Sequence, residues 1–324
     1  MRRCVIGVGL SVLVIVSSCL ATSVETVATF SIVGFDPDTG ELGVAVASKF
    51  LAVGSVVPWA KAGVGAIATQ AYANTTYGPE GLRLLTSGLT AHEVIDSLTS
   101  MDPDREKRQV GIVDAHGNSA TFTGKECIPW AGGKVGKHYA CQGNILVSKA
   151  TIEAMAETFE NSEGELAERL LKALKAGEEA GGDSRGKQSA AILVVKEKGG
   201  YLGLNDRYID LRVDDHPEPI DELMRLLSIQ RSYSALFKAS ALREQGDLEG
   251  ALGEARRAVE INPELPEALY DLACYYCLTG QKDQALETLR RAIDLAPRFK
   301  QMAKEDPDLE CLRADESFED LMGE

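Results

Sequence analysis

Ala28-Thr-Phe-Ser-Ile-Val-Gly-Phe35, Asp36-Pro-Asp-Thr-Gly40 and Glu41-Leu-Gly-Val-Ala-Val-Ala-Ser48 are consecutive runs that read as strand, turn and strand. Pro37 presets φ in the middle run and Gly40 accepts a positive φ, the chemistry of a tight turn. The flanking runs are short and rich in β-branched and small apolar residues, so the three together predict an antiparallel hairpin. Further strands are expected at Gly63–Ala71, Gln109–Asp114, Ser119–Thr123, Ile145–Ser148, Ala190–Glu197 and Arg207–Val213. Asp114-Ala-His-Gly-Asn118 joins two of them as a second hairpin turn. Helices are expected between these blocks at Pro79–Thr86, Thr90–Ser100, Ile152–Phe159 and Glu165–Ala176. Thr90 with Glu93 three residues on is a capping box. Strand blocks flanking two helix pairs predict an α+β layered sandwich rather than a parallel βαβ fold.

Beyond Pro219 the text changes to continuous helix former, with an internal repeat at a separation of 34 residues. Gly246 matches Gly280, Ala251 matches Ala285, Leu252 matches Leu286, Ala258 matches Ala292 and Pro263 matches Pro297. A period of that length, with small residues at helix crossings, is the tetratricopeptide signature of paired helices. Lys238 stands where the second repeat has Leu272, so the first repeat is expected to form a junction. Two repeats fall short of independent stability, and are expected to pack on the preceding helix and on the tail around Phe318 and Leu321. The domains are therefore read as 29–218 and 219–324.

The chain has 324 residues, and its 34 Lys plus Arg against 49 Asp plus Glu give a net charge of −15. Residues 235–324 carry twenty acidic and eleven basic side chains, −9 of that charge. Such acidity argues against a nucleic-acid footprint; it reads first as a solvated helical surface, with a docking face for basic partners as the alternative. The four histidines, His92, His116, His138 and His216, are scattered singly. No H-E-x-x-H helix occurs, and the G-x-S-x-G pattern of Gly182-Asp-Ser-Arg-Gly186 follows a helix rather than a strand, so a histidine base and a zinc site are not expected. The alternating charges from Asp206 to His216 read as a solvated or paired strand face. No metal and no cofactor is expected.

Met1-Arg-Arg3 followed by the apolar run Val5–Val16 has the form of an export signal, too short to span a bilayer. Two readings of its end stand. Cleavage after Ala21 gives a signal peptide at 1–21 and a secreted or periplasmic protein; Val16-Ser-Ser-Cys19 is alternatively a lipobox, with Cys19 as a lipid anchor. Five of the seven cysteines lie beyond this segment. Cys127 with Cys141 is one candidate disulfide, and buried free thiols are the alternative. Cys274-Tyr-Tyr-Cys277 falls mid-helix, with no second ligand pair for zinc.

Thr29 raises a chemistry that needs no histidine. At a newly exposed N-terminus its hydroxyl attacks and its own α-amine accepts the proton, the amine pKa of about 7.7–8.0 lying near operating pH. A threonine at a strand start is also simply a good strand residue. Thr29-Phe-Ser-Ile-Val, Gly40-Glu-Leu-Gly-Val-Ala-Val-Ala-Ser-Lys49, Val57-Pro-Trp-Ala60, Gly65-Ala-Ile-Ala-Thr-Gln70, Arg108-Gln-Val-Gly-Ile-Val-Asp114, Cys127-Ile-Pro-Trp-Ala-Gly132, Gln142-Gly-Asn144, Gly181-Gly-Asp-Ser-Arg-Gly-Lys-Gln-Ser189 and Arg207-Tyr-Ile-Asp-Leu-Arg-Val-Asp-Asp-His-Pro217 together resemble domain-of-unknown-function family 1028, from Thr29 to about Ser228.

The resemblance implies an αββα sandwich of the N-terminal-nucleophile (Ntn) hydrolase type, whose threonine examples are proteasome subunits. It implies Thr29 as nucleophile in the cleavage of a small amide substrate, provided the chain is cut after Ala28. Ser48 stands where threonine Ntn hydrolases present an aspartate, and Lys49 beside it is the candidate positive charge. Thr69, Gln70 and Asn74 are the implied oxyanion or substrate-wall residues. Asp183 and Arg185, in a glycine-rich loop that follows a helix rather than a strand, either meet a ligand or pair with each other. The competing reading is a non-catalytic scaffold that holds a ligand and recruits a protein partner through the repeats. The sequence leaves the oligomeric state open, a homo-oligomer included.

Overall fold

The computed structural model describes residues 29–323; the leader, with its cleavage and lipidation sites, lies outside the described residues. Asp36 closes the opening hairpin. Its Oδ1 accepts from the N–H groups of Asp38 and Thr39, its carbonyl accepts from Gly40, and Gly40 turns through φ +73°. The chain runs up β1 (Thr29–Phe35) and back down β2 (Leu42–Ser48), with Thr29 opposite Ser48 and Phe35 opposite Leu42.

Two strands follow, β3 (Pro58–Lys61) and β4 (Gly65–Ala71), and then the helices α1 (Tyr77–Thr86) and α2 (Ala91–Met101). Thr90 caps α2 in the expected capping box with Glu93. The strands β5 (Arg108–Asp114), β6 (Ser119–Thr123), β7 (Gly132–Gly136) and β8 (Tyr139–Asn144) lead to α3 (Ala150–Asn161) and α4 (Leu166–Glu179), and β9 (Ser189–Val195) and β10 (Arg207–Val213) close the sheets. Strand order is β10-β9-β2-β1-β8-β7 in one sheet and β3-β4-β5-β6 in the other, with every pairing antiparallel.

Side-chain alternation builds four layers. On β1, Phe30 and Ile32 face α3 and α4, where Met155, Phe159, Leu170 and Leu174 complete a buried cluster. Val33 and Phe35 face the other way, meeting Val44, Val46, Ala66, Ala68 and Val113 between the sheets. On the far side, Ile67, Val110 and Ile112 of the second sheet pack against Leu84, Val94 and Leu98 of α1 and α2. The αββα sandwich and its following helical module are as expected.

Three expectations are corrected. The strand expected at Ile145–Ser148 is β8, which ends at Asn144: Ile145 takes φ +54° and its N–H donates to the Ile128 carbonyl instead of continuing the ladder. The strand expected at Gly63–Ala71 is β4, but its hairpin partner β3, just before it, was not expected. The edge strand β7 carries three glycines and gave no apolar signal.

The helical module begins with α5 (Pro219–Glu244), which belongs to both halves. Ile220, Leu223 and Leu227 are buried against the sandwich, whereas Ala235, Leu236 and Ala239 are buried against α6 (Leu248–Ile261) and α7 (Pro266–Leu278). The boundary after 218 thus falls at the start of a shared helix. The second hairpin pairs α7 with α8 (Lys282–Leu295), and α9 (Phe299–Glu305) and α10 (Glu316–Met322) cover its end. Gly246 and Gly280, one period apart, both take positive φ, +84° and +78°, at the two hairpin turns. Lys238 is exposed and paired with Glu254, whereas Leu272 is buried. Phe318 and Leu321 pack on the α7–α8 core as expected.

Among the described residues a disulfide joins Cys277 to Cys311 across 34 residues, and Cys127, Cys141 and Cys274 are free and buried. Of the two readings of Cys127 and Cys141, that of buried free thiols holds and the disulfide between them does not.

Candidate functional site

Register places four short polar side chains in one row across the central strands: Asn144 of β8, Thr29 of β1, Ser48 of β2 and Ser189 of β9. They share parity with Val33 and Val44, so they face the inter-sheet layer, and all four are buried. Thr29 Oγ1 donates to Ser48 Oγ at 3.3 Å. Ser189 Oγ donates to the Phe50 carbonyl and accepts from the Val53 N–H, tying the chain after β2 to the row.

Beneath the row lies a layer of amides. Gln109 Nε2 donates to the Thr123 hydroxyl and to the carbonyls of Gly132 and Gly143. All three are used as acceptors, which fixes the orientation of the Gln109 amide and leaves Oε1 to accept from Gln70 Nε2 at 2.8 Å and Asn144 Nδ2 at 3.1 Å. Gln70 Nε2 also donates to the carbonyls of Thr29 and Gln142, each at 3.3 Å. Ser31 Oγ donates to Gln70 Oε1, while Gln142 Nε2 donates to Ser31 Oγ and Ser31 O. Gly111 leaves the room for this layer, since a Cβ there would lie 1.9 Å from Gln142 Oε1. Buried amides are tolerated when their hydrogen bonds are made, and here they bind the two sheets at the Thr29 end.

The residues expected at the site divide. Thr29, Ser48 and Gln70 come together. Lys49 lies at the surface; its Nζ donates to the Lys187 carbonyl and its N–H to Asp183 Oδ2. Asp183 and Arg185 form an ion pair at 2.9 Å, and Asp183 Oδ1 also accepts from the Arg185 N–H. A cavity of about 100 Å³ opens beside them, lined by Phe30, Ala47, Ser48, Gly182, Asp183 and Lys187 among others.

Thr69 and Asn74 belong elsewhere, because Thr69 has the opposite parity to Gln70 on β4. Its hydroxyl donates to the Asn74 carbonyl, and Asn74 Nδ2 donates to Asp102. Asp102 also accepts from Arg108 Nε at 2.9 Å, Tyr77 Oη at 3.0 Å and the Asp104 N–H at 2.8 Å. Burial works against its charge, but these donors prevail and hold its pKa at about 2. Burial and the same carboxylate push the Tyr77 hydroxyl up. Gln70 has both Nε2 hydrogens engaged within the amide layer. Thr69 and Gln70 thus have their donors engaged within the protein, and Asn74 has one Nδ2 hydrogen on Asp102, away from Thr29. Burial also pushes the Cys127 thiol up to about 11 and raises that of Cys141, so neither is an activated nucleophile. Among the described residues no group of three His, Cys, Asp or Glu side chains is arranged to hold a metal.

Sequence reading missed Gln109, Gln142, Asn144 and Ser189 as site residues. The available signal was the alternation Gln142-Gly-Asn144, polar on the face that neighbouring strands make apolar.

Residues 242–304 match the tetratricopeptide repeat, a protein-interaction module. Among curated proteins none matches the chain. The crystal structure of a DUF1028 protein from Silicibacter pomeroyi is 36% identical, with a TM-score of 0.57, over 62% of this chain and 84% of that one. Residues 29–223 match the family of unknown function DUF1028. With three-fifths of its length inside that match, the chain belongs to the DUF1028 family.

Proposed function

We propose that the sandwich domain is an N-terminal-nucleophile amide hydrolase in which Thr29, freed by a cut after Ala28, carries both nucleophile and base. The observation that carries this reading is the placement of Thr29 as first residue of a central strand, its Oγ1 donating to Ser48 in a buried polar row. In the reaction Thr29 Oγ1 attacks the carbonyl carbon of a small amide substrate and its proton passes to the α-amine. The C–N bond breaks, the departing nitrogen takes that proton, and an acyl ester remains on Thr29. Water, deprotonated by the same amine, hydrolyses the ester and restores the hydroxyl. Ser48 steadies Oγ1, and the cavity beside Asp183 and Arg185 takes part of the substrate.

Export accords with this reading, since the Cys277–Cys311 bond is of the kind that persists in oxidising compartments. The repeats bring a protein partner to the enzyme. Arg256, Tyr276, Glu287 and Arg291 line a groove of about 320 Å³ on α6, α7 and α8 that suits a peptide segment. The experiment is N-terminal sequencing and intact mass of the mature protein, followed by Thr29→Ala. A chain starting at Thr29 whose amide turnover disappears in Thr29→Ala supports the mechanism. A mature chain that retains residues before Thr29 overturns it.

One observation favours the second reading, a non-catalytic scaffold: Thr29 has no solvent exposure. In that case the polar row is a structural seam, and Thr29→Ala leaves ligand and partner binding intact.

A further inference from the structure

Asn144 Oδ1 is buried without a hydrogen-bond partner. The orientation of its amide is dictated by the network, because Gln109 Oε1 calls for a donor and Asn144 Nδ2 supplies it at 3.1 Å. The oxygen is therefore turned away from Gln109. Asn144 pairs in register with Thr29 and faces the same layer. Side chains so placed on antiparallel neighbours have Cβ atoms about 4.5–5.5 Å apart. Gln142 Oε1 also lacks a partner, but it points to Gly111 of the opposite sheet. Asn144 Oδ1 is thus the orphaned acceptor beside Thr29, and a buried acceptor of this kind favours the arrival of a donor.

In the uncut chain the Thr29 nitrogen is an amide with a single hydrogen. A cut after Ala28 converts it into an amine with hydrogens to spare, one residue across the ladder from that oxygen. We infer that Asn144 is a positioning residue whose Oδ1 accepts a hydrogen bond from the freed α-amine of Thr29, turning the amine lone pair toward Oγ1. The inference rests on the proposal that Thr29 is freed. A neutral carbonyl holds the amine without adding a carboxylate that would favour its protonated form.

The test is a thermodynamic cycle that does not depend on turnover. Thermal unfolding is measured for the full chain and for a chain released at Thr29 from a cleavable fusion, each as wild type, Asn144→Ala and Asn144→Ser, with Gln142→Ala as comparison. The Asn144 substitutions are expected to lower Tm by roughly 2–4 °C more in the Thr29-starting chain than in the full chain, the coupling of one lost hydrogen bond. Gln142→Ala is expected to lower Tm equally in both. Equal Tm shifts for the Asn144 variants in both forms overturn the inference. If an amide substrate is turned over, Asn144→Ala is expected to lower kcat with KM little changed. Coupling without any turnover by the Thr29-starting chain leaves the positioning role standing and removes the hydrolase reading.

Discussion

The hydroxyls of Thr29 and Ser48 meet at 3.3 Å across the β1–β2 ladder, where a threonine hydrolase of the proteasome type has a carboxylate. A neutral partner orients Oγ1 without placing a charge beside the α-amine, and burial of an amine favours its uncharged form. In the proposed mechanism it would be desolvation, not a neighbouring ion, that favours the neutral, proton-accepting amine. Ser48→Ala removes one neutral hydrogen bond, a net contribution of about 0.5–1.5 kcal/mol. Amide turnover is expected to fall roughly 2- to 10-fold with the fold retained. Undiminished turnover in Ser48→Ala would show that the contact does not orient the nucleophile.

Asp102 gathers Arg108, Tyr77, Asn74 and the Asp104 N–H at the base of α1 and β5. Its pKa of about 2 lies below the ordinary carboxylate value, so the folded state is favoured wherever Asp102 is ionised in both states. That stability is fully present above about pH 4 and is lost as pH falls toward 2, amounting to about 2 kcal/mol. Asp102→Asn should flatten this limb of a urea-unfolding series between pH 5 and pH 2. At neutral pH it should cost about 2–4 kcal/mol, because Arg108 loses its nearest carboxylate. A variant with wild-type acid dependence would place the proton uptake elsewhere.

Periodicity made the layered fold legible, since apolar alternation and the turn at Asp36–Gly40 place β1 and β2 side by side. The repeat glycines likewise placed both helical hairpins. What escaped was written in polar residues facing inward. Gln109, Gln142 and Asn144 are buried, and alternation alone reads such residues as a solvent face. Only register brings Asn144 to Thr29, and register follows from strand pairing between segments more than a hundred residues apart. The resemblance assigned Thr69 to the site together with Gln70, and Asn74 four residues on, but one step along a strand reverses the face.

Cys277 on α7 is bonded to Cys311, beyond α9, which pins the terminal cover of the repeats to their core. Closing a loop of 34 residues corresponds to about 4 kcal/mol in the chain-entropy account. Two repeats with a short cover have little other means of resisting fraying. Reduction, or Cys277→Ser, should lower the unfolding temperature of the helical module while Phe30 and its neighbours in the sandwich retain amide protection in hydrogen exchange. Mass mapping that finds Cys277 and Cys311 reduced in protein recovered from an oxidising compartment would contradict the pairing.

Arg231, midway along α5, holds Glu165 Oε2 at 2.9 Å and also Glu168, both at the start of α4, and Arg257 of α6 reaches the same Glu165 at 2.8 Å. Two carboxylates of the sandwich are thus gripped by one cation from each of the first two helices of the repeat module. Ser232 adds a buried hydrogen bond to the Ala258 carbonyl. With Ile220, Leu223 and Leu227 buried on the sandwich side of the same helix, α5 couples the two halves mechanically. Breaking this grip should separate their unfolding. Arg231→Met keeps the apolar stem but leaves two half-buried carboxylates without their main counter-charge, a loss of about 2–4 kcal/mol. Calorimetry is expected to resolve two transitions in the variant where the wild type gives one. A single transition shifted as a whole would mean that apolar packing along α5 suffices to join the domains.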